Sequence, residues 1–212
     1  KDDADTLAIL KTRATDDDDS HVRVAAVQAL ASNYKDDAYT KAFLKTRATD
    51  DDDSYVRRAA VQALASNYKD DAYTKAFLKT RATADDDSAV RRAAVQALAS
   101  NYKDDADTLA FLKTRATDDD SWNVRYAAVK ALGKNFTYLP ELFDIYHNCA
   151  INDPFERKEN NETNPRRVAL EIIIKQHPHN SQTLPLLRDR AENDPDEQVR
   201  EFAQKKLAEL EK

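Results

Sequence analysis

The sequence predicts an all-α solenoid of six helix-turn-helix repeats, and three observations carry that expectation. A 34-residue period runs without slippage through residue 136. Lys1, Lys35, Lys69 and Lys103 each open a KDDA phrase, and the later Val-Arg arginines fall at Arg23, Arg57, Arg91 and Arg125. Within each period, apolar residues recur at helical spacing. Glycine is nearly absent, with Gly133 alone in 212 residues, which leaves few hairpin turns and no glycine-rich dinucleotide loop. One helix pair cannot bury its own apolar face, so a fixed period of this length implies neighbours that bury it together.

In the first repeat, ADTLAILKTRAT reads as one helix with Leu7, Ile9, Leu10 and Ala14 on a broad apolar face. Asp2 and Asp3 are N-cap candidates, and Lys11 and Arg13 complement the dipole near its end. The second helix, SHVRVAAVQALASN, places Val22, Ala25, Ala26, Ala29 and Leu30 on one stripe, and the preceding aspartates can cap it. Asn33, Asn67, Asn101 and Asn135 stand where a helix often ends in left-handed geometry, a role Asn takes when Gly is absent. Residues 1–136 hold four such near-identical repeats. Ala14, Ala48, Ala82 and Ala116 continue to Ala150, but the next arginine, Arg166, arrives seven residues late. Residues 137–180 are therefore a divergent fifth repeat with a seven-residue loop insertion. Its polar segment 152–164, between Pro154 and Pro165, reads as a solvated loop or as a partner-docking one. Residues 181–212 close one continuous solenoid, the charge-rich EQVREFAQKKLAELEK serving as a terminal cap.

Charged residues make up 34% of the chain and its net charge is −6, so it is no basic nucleic-acid module. No apolar run approaches a membrane span, and no signal-peptide pattern opens the chain. With a single cysteine, Cys149, an intrachain disulfide is excluded, and a cytoplasmic location is expected. The chain opens on Lys1 rather than Met, and no polar cap precedes Leu7 and Ile9. The expectation is a longer native chain, or end-to-end self-association through this uncapped N-terminal repeat.

The arrangement DDDS-x-VR-x-AAVQAL resembles HEAT repeats, which implies a HEAT-like superhelix. The Trp, Leu-Gly and Tyr spacing of tetratricopeptide repeats is missing. The phrases INDPFER, NPRRVALEIIIKQHP and TLPLLRDRAENDPDEQVREFAQKKLAEL resemble the C-terminal HEAT arrays of cyanobacterial NACHT-type (STAND) NTPases. That resemblance implies the sensing or partner-recognition arm of a larger switch protein. Its NTPase lies outside this chain, which lacks the GxxxxGK[ST] loop. The resemblance also implies a structural ladder between neighbouring repeats, with Asp17, Asp51, Asp85 and Asp119 facing Arg23, Arg57, Arg91 and Arg125.

The first four repeats differ at 12 of 34 positions. On the second helix the changes fall at repeat positions 21, 24, 28, 31 and 32, which share one face opposite the Val22/Ala26/Leu30 stripe. In a HEAT solenoid this is the concave surface. It carries His21, Val24 and Gln28, then Tyr55, Arg58 and Gln62, then Ala89, Arg92 and Gln96. The fourth repeat contributes Asn123, Tyr126 and Lys130, with Trp122 at the edge. One reading is drift at solvent-facing positions; the other is a groove for a protein or peptide, since Tyr, Trp and Arg anchor interfaces. An engineered repeat-scaffold binder would show the same pattern. A nucleic-acid face would use Arg58, Arg92 and Lys130, a short stripe beside many aspartates. On the first helix, Leu7 and Leu109 give way to Lys41 and Lys75, an edge substitution or a second contact surface.

No enzyme chemistry is expected. The aspartate runs lack the glycine and glutamate of an EF-hand loop, holding His21 and Val27 there instead, so helix capping accounts for them and no metal is assigned. His21, His147, His177 and His179 form no repeated ligand set, and Cys149 has no nearby base. No cofactor is expected.

Overall fold

The computed structural model describes residues 2–210. Among these residues the helices are α1 (Asp2–Asp16) and α2 (Ser20–Asn33), α3 (Thr40–Asp50) and α4 (Ser54–Asn67), α5 (Thr74–Ala84) and α6 (Ser88–Asn101). They continue as α7 (Ala106–Asp118) and α8 (Trp122–Asn135), α9 (Phe143–Asn152) and α10 (Pro165–Gln176), α11 (Thr183–Asn193) and α12 (Glu197–Leu210). A 3-10 turn at Pro140–Leu142 precedes α9, and no strand occurs among the described residues. The fold is an all-α solenoid of successive helix pairs. It divides into two compact units, Lys1–Tyr102 and Lys103–Lys212, each holding three pairs. In the first, α2, α4 and α6 lie side by side; in the second, α10 packs against both α8 and α12.

The DDDS phrase assigns each aspartate its own task. Asp51 turns the chain by accepting the Asp53 N–H at 3.1 Å. Asp53 then caps α4, its carboxylate accepting the Tyr55 N–H at 2.7 Å. Asp85 and Asp87 repeat both bonds ahead of α6. Such caps satisfy N–H groups that the first helical turn leaves unpaired. Asn164 takes the capping role at α10, with Pro165 at the first helical position, where no N–H is required.

The core is built from the letters that repeat. Leu44, Leu78 and Leu112 on the first helices, and Leu30, Leu64, Leu98 and Leu132 on the second, are fully buried. Full burial of a leucine contributes about 1.5–3 kcal/mol. Val56, Val90 and Val124 are likewise 0% exposed, whereas Val22 is 38% exposed because α2 has a second-helix neighbour on one side only. Ile9 also falls outside the buried face, at 60% exposure, while Ala14 lies inside it.

Three local features depart from the sequence-based expectation. Asp3 lies inside α1 rather than before it, and the side chain of Asp2 is outside the described residues. In the next two repeats neither aspartate of KDDA is the N-cap residue, which is Tyr39 or Tyr73; the second aspartate holds the turn before the helix, Asp37 accepting the Thr40 hydroxyl at 3.0 Å and the Tyr39 N–H at 3.1 Å. Asn33 and its counterparts do not adopt left-handed backbone, since Tyr138 is the one non-glycine residue with positive φ among those described. Their side-chain amides reach the carbonyls of a last turn instead, Asn33 to Ala29 and Asn67 to Ala63 at 3.0 Å each. Asn101 crosses to Ala65 of the preceding repeat at 2.6 Å. An amide that satisfies those carbonyls directly removes the need for a left-handed cap.

Candidate binding face of the second helices

The face is held in place by arginines that bridge consecutive turns. Arg57 donates through Nη1 to the Asp51 carbonyl at 2.9 Å in its own repeat. Its Nε and Nη2 pair with both carboxylate oxygens of Asp85 in the next repeat, at 3.2 and 3.0 Å. Arg23 bonds the Asp17 carbonyl at 2.8 Å and the Asp51 carboxylate at 3.1 Å. In the second unit Arg125 joins the Asp119 carbonyl to Asp153, and Arg166 joins the Asp153 carbonyl to Asp194. Arg91 bonds the Asp85 carbonyl at 2.9 Å, and Asp17 pairs with Arg13 of its own repeat at 3.1 Å. Asp119 lies 3.5 Å from Arg115, one turn before it. Two parallel N–H bonds to a buried carboxylate fix register as well as distance. Asp153, Arg166 and Asp194 extend the pattern beyond the four regular repeats: Asp153 keeps the period of 34, and Arg166 and Asp194 follow seven residues late.

Lys41 also bridges repeats. Its ammonium reaches Asp71 at 2.6 Å, and that hydrogen bond is the main reason the Asp71 carboxyl is held below its ordinary value. The hydroxyl of Tyr68 donates to the Lys35 carbonyl at 2.8 Å, and Tyr102 does the same to Lys69 at 2.7 Å.

With packing assigned to these residues, variable positions 21, 24, 28 and 32 of the second helices stand wholly or partly open. Position 31, expected on the same face, is instead buried as Ala31, Ala65, Ala99 and Gly133, because it lies one turn after the buried Val27, Val61, Val95 and Val129. In the first unit His21, Val24, Tyr55, Arg58 and Gln62 line a groove of about 340 Å³ between α2 and α4. Tyr55 is 61% exposed, and the Arg58 guanidinium lies over its ring, 5.0 Å from the centroid. Arg92 is half-buried and Gln96 exposed on α6. In the second unit Tyr126 and Lys130 border a groove of about 570 Å³ between α8 and α10. The Lys130 ammonium bonds the Tyr126 hydroxyl at 3.0 Å and sits 5.4 Å from its ring centroid. A cation over a tyrosine ring offers a pre-ordered polar and aromatic contact to a partner.

Trp122 does not line either groove. Its ring meets Phe155 edge-on, with centroids 5.5 Å apart. Phe155 is buried in the inserted segment, which is tied down rather than simply solvated. Arg157 pairs with Asp196 at 2.9 Å, the Asn164 amide bonds the same carboxylate, and Glu162 accepts the Lys158 and Glu159 N–H groups. An aromatic residue one position before the variable site was readable as an edge residue, but the insertion that covers it was not.

Burial and the Asp153 charge push the Cys149 thiol up to about 12, so it is protonated at neutral pH and is a poor nucleophile. His177 lies half-buried beside the rings of Phe143 and Tyr146, and burial lowers its pKa. Among the described residues no group of three or more His, Cys, Asp or Glu could hold a metal ion. No helix there is long and apolar enough to cross a membrane.

The HEAT-repeat family profile matches residues 1–65 and 68–145. Among solved structures, the X-ray structure of YibA from Escherichia coli matches 96% of this chain and 73% of its own length, with a TM-score of 0.60 and 19% identity. That likeness is one of fold alone. No curated protein sequence matches the chain. The period, the bridging arginines and a profile match over most of the sequence place this chain in the HEAT-repeat family.

Proposed function

We propose that the chain is a noncatalytic protein- or peptide-binding module whose partner seats on the variable faces of the second helices. One observation carries this reading. On the second helices the buried residues are, position 31 apart, those repeated letter for letter in the first four repeats, and residues that change border open grooves where tyrosines lie beside cations. Membership in the HEAT-repeat family supports a repeat module. The finer role, the recognition arm of a larger NACHT-type switch protein, rests on the three C-terminal phrases, and a cytoplasmic location on the single cysteine. End-to-end association of first repeats would cover Ile9 and Val22 and belongs to the same proposal.

Panning a displayed random peptide library against the protein tests the binding role. Combined replacement of Tyr55, Arg58, Arg92 and Tyr126 by Ala lowers the affinity of the selected peptides at least tenfold, with the helical circular dichroism unchanged. Peptides that bind this variant as tightly as the parent overturn the site. Failure to select any peptide overturns the binding role.

A further inference from the structure

The groove between α8 and α10 differs in charge from the protein that contains it. The chain carries a net charge of −6, yet this groove gathers Lys130, Lys134, Arg167 and Lys175 around a single carboxylate, Glu171. Among the described residues none of these four cations forms a salt bridge. Lys130 bonds only the Tyr126 hydroxyl, and Arg167 lies over the Phe202 ring at 5.2 Å. The neighbouring Val-Arg and Pro-Arg arginines are instead spent on the turns, Arg125 on Asp153 and Arg166 on Asp194. Unpaired cations facing one groove set up a local positive field that attracts an anionic ligand.

The repeat register shows how the cations arise. Position 32 is Ser32, Ser66 and Ser100 in the first three repeats but Lys134 and Lys175 in the next two. Position 28 changes from Gln to Lys130, and position 24 brings Arg167. The floor is apolar and closely built. Gly133 stands where the earlier repeats have Ala, and an added Cβ there would lie 2.6 Å from Ile172 Cδ1. The Gln176 amide bonds the Gly133 carbonyl and joins the two helices. Val168 lies beside Ile172 on the same floor.

We propose that this groove binds an acidic peptide segment, its carboxylates paired with Lys130, Lys134, Arg167 and Lys175 and an apolar side chain seated on Ile172 and Val168. The inference rests on the binding role above and adds the class of partner. The volume, about 570 Å³, suits a few side chains rather than a duplex. The apolar floor and the central Glu171 favour a peptide over nucleic acid, whose phosphates would meet that carboxylate and gain nothing from the floor.

The probe is again the displayed random peptide library, now scored for charge. Selected peptides are expected to be enriched in Asp and Glu around an apolar residue. Their affinity should fall at least tenfold when their carboxylates become amides, and likewise in the Lys134→Glu/Lys175→Glu protein. Both lysines are exposed, so circular dichroism should report an intact fold, and Lys134→Gln/Lys175→Gln gives a milder second variant. Neutral peptides, or acidic ones indifferent to both lysine pairs, overturn this inference while leaving a binding role elsewhere on the face intact. Oligonucleotides that bind at least as tightly, with the same dependence on the lysines, overturn the choice of peptide. An empty selection removes both readings.

Discussion

Replacing Arg57 by Met tests whether the bridging arginines hold the repeats together. The guanidinium makes a two-pronged pair with Asp85, bonds the carbonyls of Asp51 and Asp52 at 2.9 and 3.2 Å, and reaches Asp86. The two paired side chains are only 9% and 1% exposed. Methionine preserves much of the packed stem but strands the Asp85 carboxylate with Arg81, at 3.6 Å, as its nearest remaining cation in this unit. Breaking a buried pair from one side costs about 3–5 kcal/mol, chiefly because the abandoned charge stays buried. For a chain of this size that corresponds to a drop of roughly 10 °C in the midpoint. Urea and thermal unfolding followed by circular dichroism, with Lys206→Ala as control, measure it. Lys206 pairs with Glu209 at the surface, where such pairs contribute about 0–1 kcal/mol. Adding Asp85→Asn to Arg57→Met should cost little more than the single change, since the stranded charge is gone. A cost for Arg57→Met no larger than that of Lys206→Ala would refute the reasoning.

Three further outcomes follow. Gly133→Ala should destabilise by about 1–3 kcal/mol, because its Cβ meets Ile172 Cδ1 at 2.6 Å and Cγ1 at 2.8 Å; Ile172→Ala in the same chain should recover much of that in urea unfolding. His177 has its pKa lowered by burial, so the unfolded chain binds its proton more readily. Its contribution is therefore fully present above the ordinary value of 6.5 and is lost as pH falls, so His177→Asn should flatten the decline in urea midpoint between pH 7.5 and 5. If first repeats associate end to end, sedimentation velocity should show concentration-dependent dimers that Ile9→Glu abolishes, the isoleucine being 60% exposed; a monomer at all concentrations contradicts that association.

The period, the helix pairs and the bounds of α2 were readable in the sequence because each depends on short-range rules: helical spacing, capping aspartates and a repeated arginine. What the sequence concealed depends on neighbours. Val22 and Val56 are the same letter in the same register, yet only Val56 has second helices on both sides. Asn33 reads as a left-handed cap until its amide is seen on the Ala29 carbonyl. The variable face was readable from substitutions between copies, down to Tyr55, Arg58 and Tyr126. Lys134 lay at one of those variable positions, but Arg167 and Lys175 fall after an insertion that breaks the count. Trp122 carried an interface-like letter, and Phe155, eleven times three residues downstream, is what it packs against.

The central claim is that packing of the second helices occupies their repeated letters and leaves the changed ones at positions 21, 24, 28 and 32 for a partner. Amide chemical-shift mapping of the ¹⁵N-labelled protein with its tightest selected peptide tests this directly. The account predicts that the large shifts cluster on α2 and α4 or on α8 and α10, around Tyr55 and Arg58 or Tyr126 and Lys134. Shifts confined to the first helices, α1, α3, α5, α7, α9 and α11, would contradict it.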